Sequence, residues 1–265
     1  MNYRHIYHAG NFADIVKHLV LIAALEQFKK KEKPFAVLDA FAGIGLYDLS
    51  STAASKTLES DTGINKLLDY IVKSFDYIPV LLQTFFNIKN LAGENHYPGS
   101  PFIITKLLRP QDRLIACELH PSDYLSLKTL IPSNAHNIDA YNAIKAFLPF
   151  QEKRGLIFLD PPFEVKNEFQ KLLTALKQIK SSALNNSVLI WYPIKDLSLV
   201  RDFYHNYKNI GFKETFIIEY ELLYSDKNMV KCGLMLINPP NIRKELIELA
   251  EYLSNSLNLK FTILA

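Results

Sequence analysis

The run Leu156-Ile157-Phe158-Leu159, followed at once by Asp160-Pro161-Pro162-Phe163, leaves few folds open to this chain. Consecutive apolar residues with no polar alternation suit a strand covered on both faces, as in the parallel sheet of an α/β protein. Pro161 and Pro162 have no N–H to give to a ladder, and each biases the residue before it toward extended geometry, so the strand stops and the chain leaves the sheet stiffly. Open α/β sheets bind ligands at that carboxyl edge. Asp160 offers a carboxylate there, Pro161 and Pro162 offer free carbonyls, and Phe163 adds a flat apolar face. Together they suit a planar amino group attached to a ring. A turn with a capping aspartate is the plainer meaning of Asp-Pro; the buried run before it favours the chemical one.

Composition narrows the class. The 265 residues are 49% hydrophobic and 22% charged, enough for a globular core and unlike a disordered chain. No apolar run approaches the ~18 residues of a membrane helix, and the amino terminus lacks a signal peptide's apolar stretch, so a cytoplasmic protein is expected. Cys117 and Cys232 stand beside apolar residues and read as buried thiols, not as a disulfide framework or zinc site. His5, His8 and His18 have no carboxylate or cysteine spacing for a metal, and none is expected. A net charge of +3 permits a nucleic-acid partner without demanding one.

Along the chain, acidic residues recur at strand ends. A polar and aromatic loop feeds a first helix, capped by Asn11 or Asp14, which places Asp14, Lys17 and His18 on one face. Pro34 breaks that helix, and Phe35-Ala-Val-Leu-Asp39 reads as the first strand, followed by the glycine turn Ala40-Phe-Ala-Gly43-Ile-Gly45. This is a nucleotide-cofactor loop by type, and a helix amino terminus is expected after it. Asp48 occupies the place of the third glycine of the dinucleotide fingerprint, which counts against a nicotinamide enzyme. A second strand ends in Glu118, a carboxylate that can accept from both ribose hydroxyls. It comes far later than the ~20 residues of a contiguous βαβ unit, so residues 46–96 are inferred to be an inserted subdomain of helices. Ser100 is placed to cap a helix over 102–108 or to contact the cofactor. Asn137-Ile-Asp139-Ala140 reads as a third strand end suited to the adenine ring of a cofactor, and Ser187-Val-Leu-Ile-Trp-Tyr192 as a fifth strand. Phe216-Ile-Ile-Glu-Tyr220 and Lys231-Cys-Gly-Leu-Met-Leu-Ile237 read as an antiparallel pair, after which Asn238-Pro-Pro240 serves as a strand terminator.

These residues converge. Tyr3-Arg4-His5, His8-Ala-Gly-Asn-Phe-Ala-Asp14, Lys17-His18, Leu38-Asp-Ala-Phe-Ala-Gly43, Tyr97-Pro-Gly-Ser-Pro101, Glu118-Leu-His-Pro121 and Asp160-Pro-Pro-Phe-Glu164 resemble the 23S ribosomal RNA adenine-N6 methyltransferases of the RlmJ type. The resemblance implies a Rossmann-like class I methyltransferase dependent on S-adenosyl-L-methionine. Its sheet would be mostly parallel with an antiparallel last strand, the methyltransferase domain being 1–45 with 97–265 and the small helical insert 46–96. It implies cofactor contacts at His18, Phe41, Ser100, Glu118, Asp139, Ala140 and Asp160, with Phe41 standing where the family has histidine and Ala140 where it has glycine. Asp160, Pro161 and Phe163 form the catalytic group. Tyr3, Arg4, Lys17 and Phe163 are expected to face RNA, Arg4 and Lys17 through phosphates and Tyr3 by stacking. The expected partner is 23S ribosomal RNA, bound by a monomer with neither membrane nor metal. Competing classes are a DNA adenine-N6 or protein glutamine methyltransferase, a catalytically idle RNA-binding relative, and a nicotinamide oxidoreductase.

Overall fold

The structure is a computed structural model that describes residues 5–74, 77–223 and 230–264; Tyr3 and Arg4 lie outside them. A short 3-10 turn, His5–Tyr7, leads into α1 (Phe12–Lys29), whose N-cap is Asn11, the side chain accepting from the Asp14 N–H. Helix α1 is buried on every side from Phe12 to Leu25, so it is a central helix of the fold and not a surface leader. Strand β1 (Ala36–Asp39) follows, and then β2 (Leu46–Asp48) instead of the expected helix.

The stretch expected from the sequence to be an inserted subdomain begins there. Residues 46–96 hold β2, two 3-10 turns, α2 (Ile64–Lys73), α3 (Val80–Ala92) and the start of β3 (His96–Pro98). Strands β2 and β3 pair antiparallel, Leu46 opposite Pro98 and Asp48 opposite His96, and so bring the two ends of this stretch together. The Gly99 N–H then donates to the Gly45 carbonyl at 2.9 Å, and α4 (Ser100–Leu107) begins one residue later. Helix α4 thus starts directly against the glycine turn. Counted from Gly99, Glu118 recovers the spacing of about 20 residues that a contiguous unit requires. The cap of α4 is Gly99, and Ser100 is its first residue, not the capping residue the sequence suggests. Leu67, Leu82, Phe85 and Ile88 of the inserted stretch join the apolar cluster built around α1.

The remaining elements are β4 (Arg113–Cys117), α5 (Pro121–Leu130), β5 (Ala135–His136), α6 (Ala140–Phe147), β6 (Gly155–Leu159), α7 (Glu168–Ala183), β7 (Ser187–Pro193), α8 (Leu197–Lys208), β8 (Thr215–Leu222), β9 (Lys231–Ile237), α9 (Arg243–Leu257) and β10 (Leu259–Leu264). The described residues form one eight-stranded sheet in the order β10-β8-β9-β7-β6-β1-β4-β5. From β5 to β7 the pairs are parallel, whereas β7 with β9, β9 with β8, and β8 with β10 are antiparallel. Two strands, β9 and β10, thus run against the rest. The second is delivered by α9, which turns the chain back onto the sheet; neither element carried a sequence motif.

Register fixes the working edge. Leu38 lies opposite Ile115 on one side and Ile157 on the other, so the ends of β1, β4 and β6 emerge together. Leu156 and Phe158 face the cluster that contains α1, and Ile157 and Leu159 face the cluster of α6, α7 and α8. This covering of both faces is what an unbroken apolar run requires. Because β9 is reversed, with Ile237 opposite Val188 at the start of β7, Asn238-Pro-Pro240 leaves the sheet at the edge opposite Asp160.

Candidate active site at the carboxyl edge of the sheet

A cavity of about 500 Å³ opens where β1, β4, β6 and β7 end. It is walled by His18 and Lys17 of α1, Phe41 and Gly43 of the glycine turn, Ser100, Glu118, Asp160, Pro161, Phe163 and Trp191. Gly43 has φ +61° and a Cβ there would meet the Tyr47 hydroxyl at 2.3 Å, so the turn admits no side chain.

One side of the cavity is a buried charge network. The Lys17 ammonium donates to Asp160 Oδ2 at 2.6 Å and to Asp14 Oδ1 at 2.7 Å, and lies 5.6 Å from the Trp191 ring centroid. Lys17, expected to face RNA phosphates, is only 4% exposed and its ammonium is taken up by Asp14 and Asp160. Asp14 Oδ2 in turn bonds His5 Nε2 at 3.0 Å and accepts the Gly10 N–H at 2.9 Å. Burial opposes ionisation of Asp14, but the charges of His5 and Lys17 outweigh it and hold the carboxyl well below its ordinary range. His18, one turn on, bonds the Tyr97 hydroxyl at 2.9 Å; burial, aided by the Lys17 charge, pulls its pKa down to about 3, so the ring is neutral. His8 goes to Glu59 of the insertion at 2.9 Å. The amino-terminal histidines therefore serve separate partners.

The opposite side suits a nucleoside. Glu118 Oε2 accepts the Gly43 N–H at 3.0 Å and Oε1 the His120 N–H at 2.7 Å, which orients the carboxylate and leaves lone pairs toward the cavity. Burial raises its pKa, against those two N–H bonds. Asp39, at the end of β1, is fully buried with neither carboxyl oxygen hydrogen-bonded. Burial pushes it up to about 7; the nearby Ser100 hydroxyl works against the rise and the charge of Asp160 adds to it.

Phe163 closes the Asp-Pro-Pro-Phe turn in the left-handed region, φ +50°, a conformation that costs a side-chain-bearing residue about 1–2 kcal/mol. Its ring is held edge-on to Phe169 at 4.9 Å and Trp191 at 6.1 Å. Phe41 lines the cavity with its ring against Tyr141 at 5.8 Å.

Asp139 and Ala140 sit otherwise than expected. The strand before them ends at His136, and Asp139 is the N-cap of α6, accepting the N–H groups of Tyr141 and Asn142 at 3.0 Å. Neither residue is among those lining the cavity. Trp191, Pro193 and Lys195 line it without having been singled out from sequence. Trp191 follows Ile190, which pairs with Leu159, so register sets it beside Asp160; the residues ending the neighbouring parallel strand were the available signal.

The chain is similar to known proteins. A family model described as "Ribosomal RNA large subunit methyltransferase D, RlmJ" matches residues 32–262. Two curated proteins named ribosomal RNA large subunit methyltransferase J are similar to the chain. The one from Haemophilus influenzae is 34% identical over 268 residues, covering 97% of this chain and 94% of that protein. The one from Escherichia coli is 34% identical over 250 residues, covering 91% and 88%. A crystal structure of a Legionella pneumophila protein superposes with a TM-score of 0.87 at 33% identity, covering 97% of this chain and 98% of that one.

Proposed function

The chain belongs to the RlmJ family of large-subunit ribosomal RNA methyltransferases, and from that premise we propose that it moves a methyl group from S-adenosyl-L-methionine to the N6 amine of one adenine in 23S ribosomal RNA. The observation that carries the reading is Asp160, set at the end of a buried parallel strand and facing a cavity whose other wall holds Glu118. A cytoplasmic location follows from a ribosomal substrate, and a monomer suffices because this chain's own residues line the cavity.

The cofactor supplies an electrophilic methyl group when bound. Glu118 would hold its ribose hydroxyls, the Phe41–Gly43 turn would approach the rest of it, and Ser100 and His18 supply the remaining polar wall. On the substrate side, the adenine amine is a weak nucleophile because its lone pair is delocalised into the ring. Lys17 fixes Asp160 through Oδ2, leaving Oδ1 to accept one amino hydrogen, and the Pro161 carbonyl can accept the other. Both contacts favour a tetrahedral nitrogen and a developing positive charge, so the rate comes from positioning and electrostatics without a covalent intermediate. Phe163 and Trp191 offer aromatic surfaces to a base that has left its stack, worth about 1–3 kcal/mol per stacked base. Mapping N6-methyladenosine in 23S ribosomal RNA with and without the gene tests the proposal. A modified adenine should disappear on deletion and return with the intact gene but not with the Asp160→Ala form; an unchanged map would overturn it.

A further inference from the structure

The amino edge of the sheet carries a second feature that the active site does not use. Helix α1 ends there in Lys29, and the following loop presents Lys30, Lys31 and Lys33, all exposed. Two arginines fasten this loop. Arg109 donates to the Lys29, Lys31 and Lys33 carbonyls at 3.0–3.3 Å, and Arg154 donates to the Phe28 and Lys33 carbonyls at 2.9 and 2.6 Å. Both guanidinium groups also lie over the Phe35 ring, each 5.6 Å from its centroid. Helix ends normally leave carbonyls to water; here cations satisfy them and hold the lysine-bearing loop in one conformation.

The charge is not cancelled locally. Lys30, Lys31, Lys33 and the exposed Lys153 beside Arg154 make no ion pair among the described residues, and Glu32 is the one carboxylate in the loop. Asp112 is taken by Arg109 and Glu152 by Arg113. Exposed ammonium groups in excess over the loop's one carboxylate, carried on a fastened backbone, are suited to the regularly spaced phosphates of a nucleic-acid backbone. Strand β1 alone separates this loop from Asp39 by roughly 13 Å, so a nucleotide in the cavity does not reach it.

We propose that this loop is a second RNA-docking surface, which grips the sugar-phosphate backbone of ribosomal RNA outside the methylated nucleotide. The proposal rests on the ribosomal RNA reading above. It makes substrate recognition bipartite: the carboxyl edge takes the base, and the amino edge takes phosphates of a flanking segment.

The test is the triple variant Lys30→Gln, Lys31→Gln, Lys33→Gln, assayed with a 23S transcript and with a short transcript that keeps the methylated adenine in its own stem. The substituted side chains are exposed, and an unchanged thermal midpoint checks the fold. With the long transcript, the slope of log affinity against log salt should fall by about 2–3, KM should rise roughly tenfold at physiological salt, and kcat should hold. Turnover of the short transcript should be unchanged. An unaltered slope and KM on the long transcript would overturn the proposal, as would equal losses on both. Failure of the unsubstituted protein to methylate either RNA would instead refute the ribosomal RNA reading.

Discussion

Strands β1 and β6 lie side by side and end in the same kind of residue, yet Asp39 and Asp160 have opposite company. Asp160 is met by the Lys17 ammonium at 2.6 Å and keeps one oxygen toward the cavity. Asp39, one strand over, is fully buried without a hydrogen bond and is pushed up to about 7 by that burial. The difference comes from α1, whose Lys17 reaches across to one strand end and not the other. An acid at a strand end thus takes its company from the element packed opposite. Asp160 is held beside a cation at the cavity, while Asp39 is closed away from it.

Four measurements would break or sharpen this contrast. The largest effect is expected from Asp160→Ala, which removes an acceptor used in the transition state and should lower kcat by about a hundred- to a thousandfold while circular dichroism stays native. Asp160→Asn should lose less, since its carbonyl still accepts a hydrogen; full turnover by the alanine form would take Asp160 out of the chemistry. Next, Lys17→Met leaves the carboxylates of Asp14 and Asp160 without their shared cation and should cost about 3–5 kcal/mol in urea denaturation. A loss below about 1 kcal/mol would show that the network is more solvated than its geometry indicates.

The third measurement concerns Asp39. Its carboxyl titrates at about 7 in the folded chain against 3.8 in the ordinary state. Between those values the folded form holds a proton that the unfolded form has released. Its contribution to stability is therefore full below about pH 4, drains as pH rises and is gone above about pH 7. Asp39→Asn should flatten that part of the stability curve and raise stability at pH 8 by up to about 4 kcal/mol relative to the parent. Parallel curves for the two proteins would mean that Asp39 is ionised and partnered after all. The smallest effect belongs to Glu118→Ala. Calorimetry with S-adenosylhomocysteine should show a loss of about 1–3 kcal/mol, and unchanged affinity would place the ribose elsewhere.

Much of the contrast was legible beforehand, and the exceptions share a cause. Asp160, Glu118 and Asp39 stand at the ends of apolar runs, and such runs can be recognised without knowing their neighbours. Lys17 was visible as a helix-face neighbour of Asp14, but its reach to Asp160 crosses 143 positions of chain. Surface and interior look alike for a lysine in sequence, because its burial depends on a carboxylate supplied from elsewhere. The cap of α6 was misread as a strand end because a two-residue strand such as Ala135–His136 has too few positions to show alternation. Trp191 was passed over for the reason that hid Lys17: only the register of β7 against β6 sets it beside the catalytic turn.

By itself, then, the sequence determined the class of fold, the motif that ends β6 and the family to which the chain belongs, since these rest on local periodicity, proline stereochemistry and contiguous residues. Tertiary structure alone decided that α4 starts against the glycine turn through Gly99 and Gly45, that β9 brings Asn238 to the edge opposite Asp160, and that Lys17 pairs with Asp160. Each depends on which strand or helix lies alongside, a relation between distant residues that strand register and the burial of charge impose only once the chain has closed.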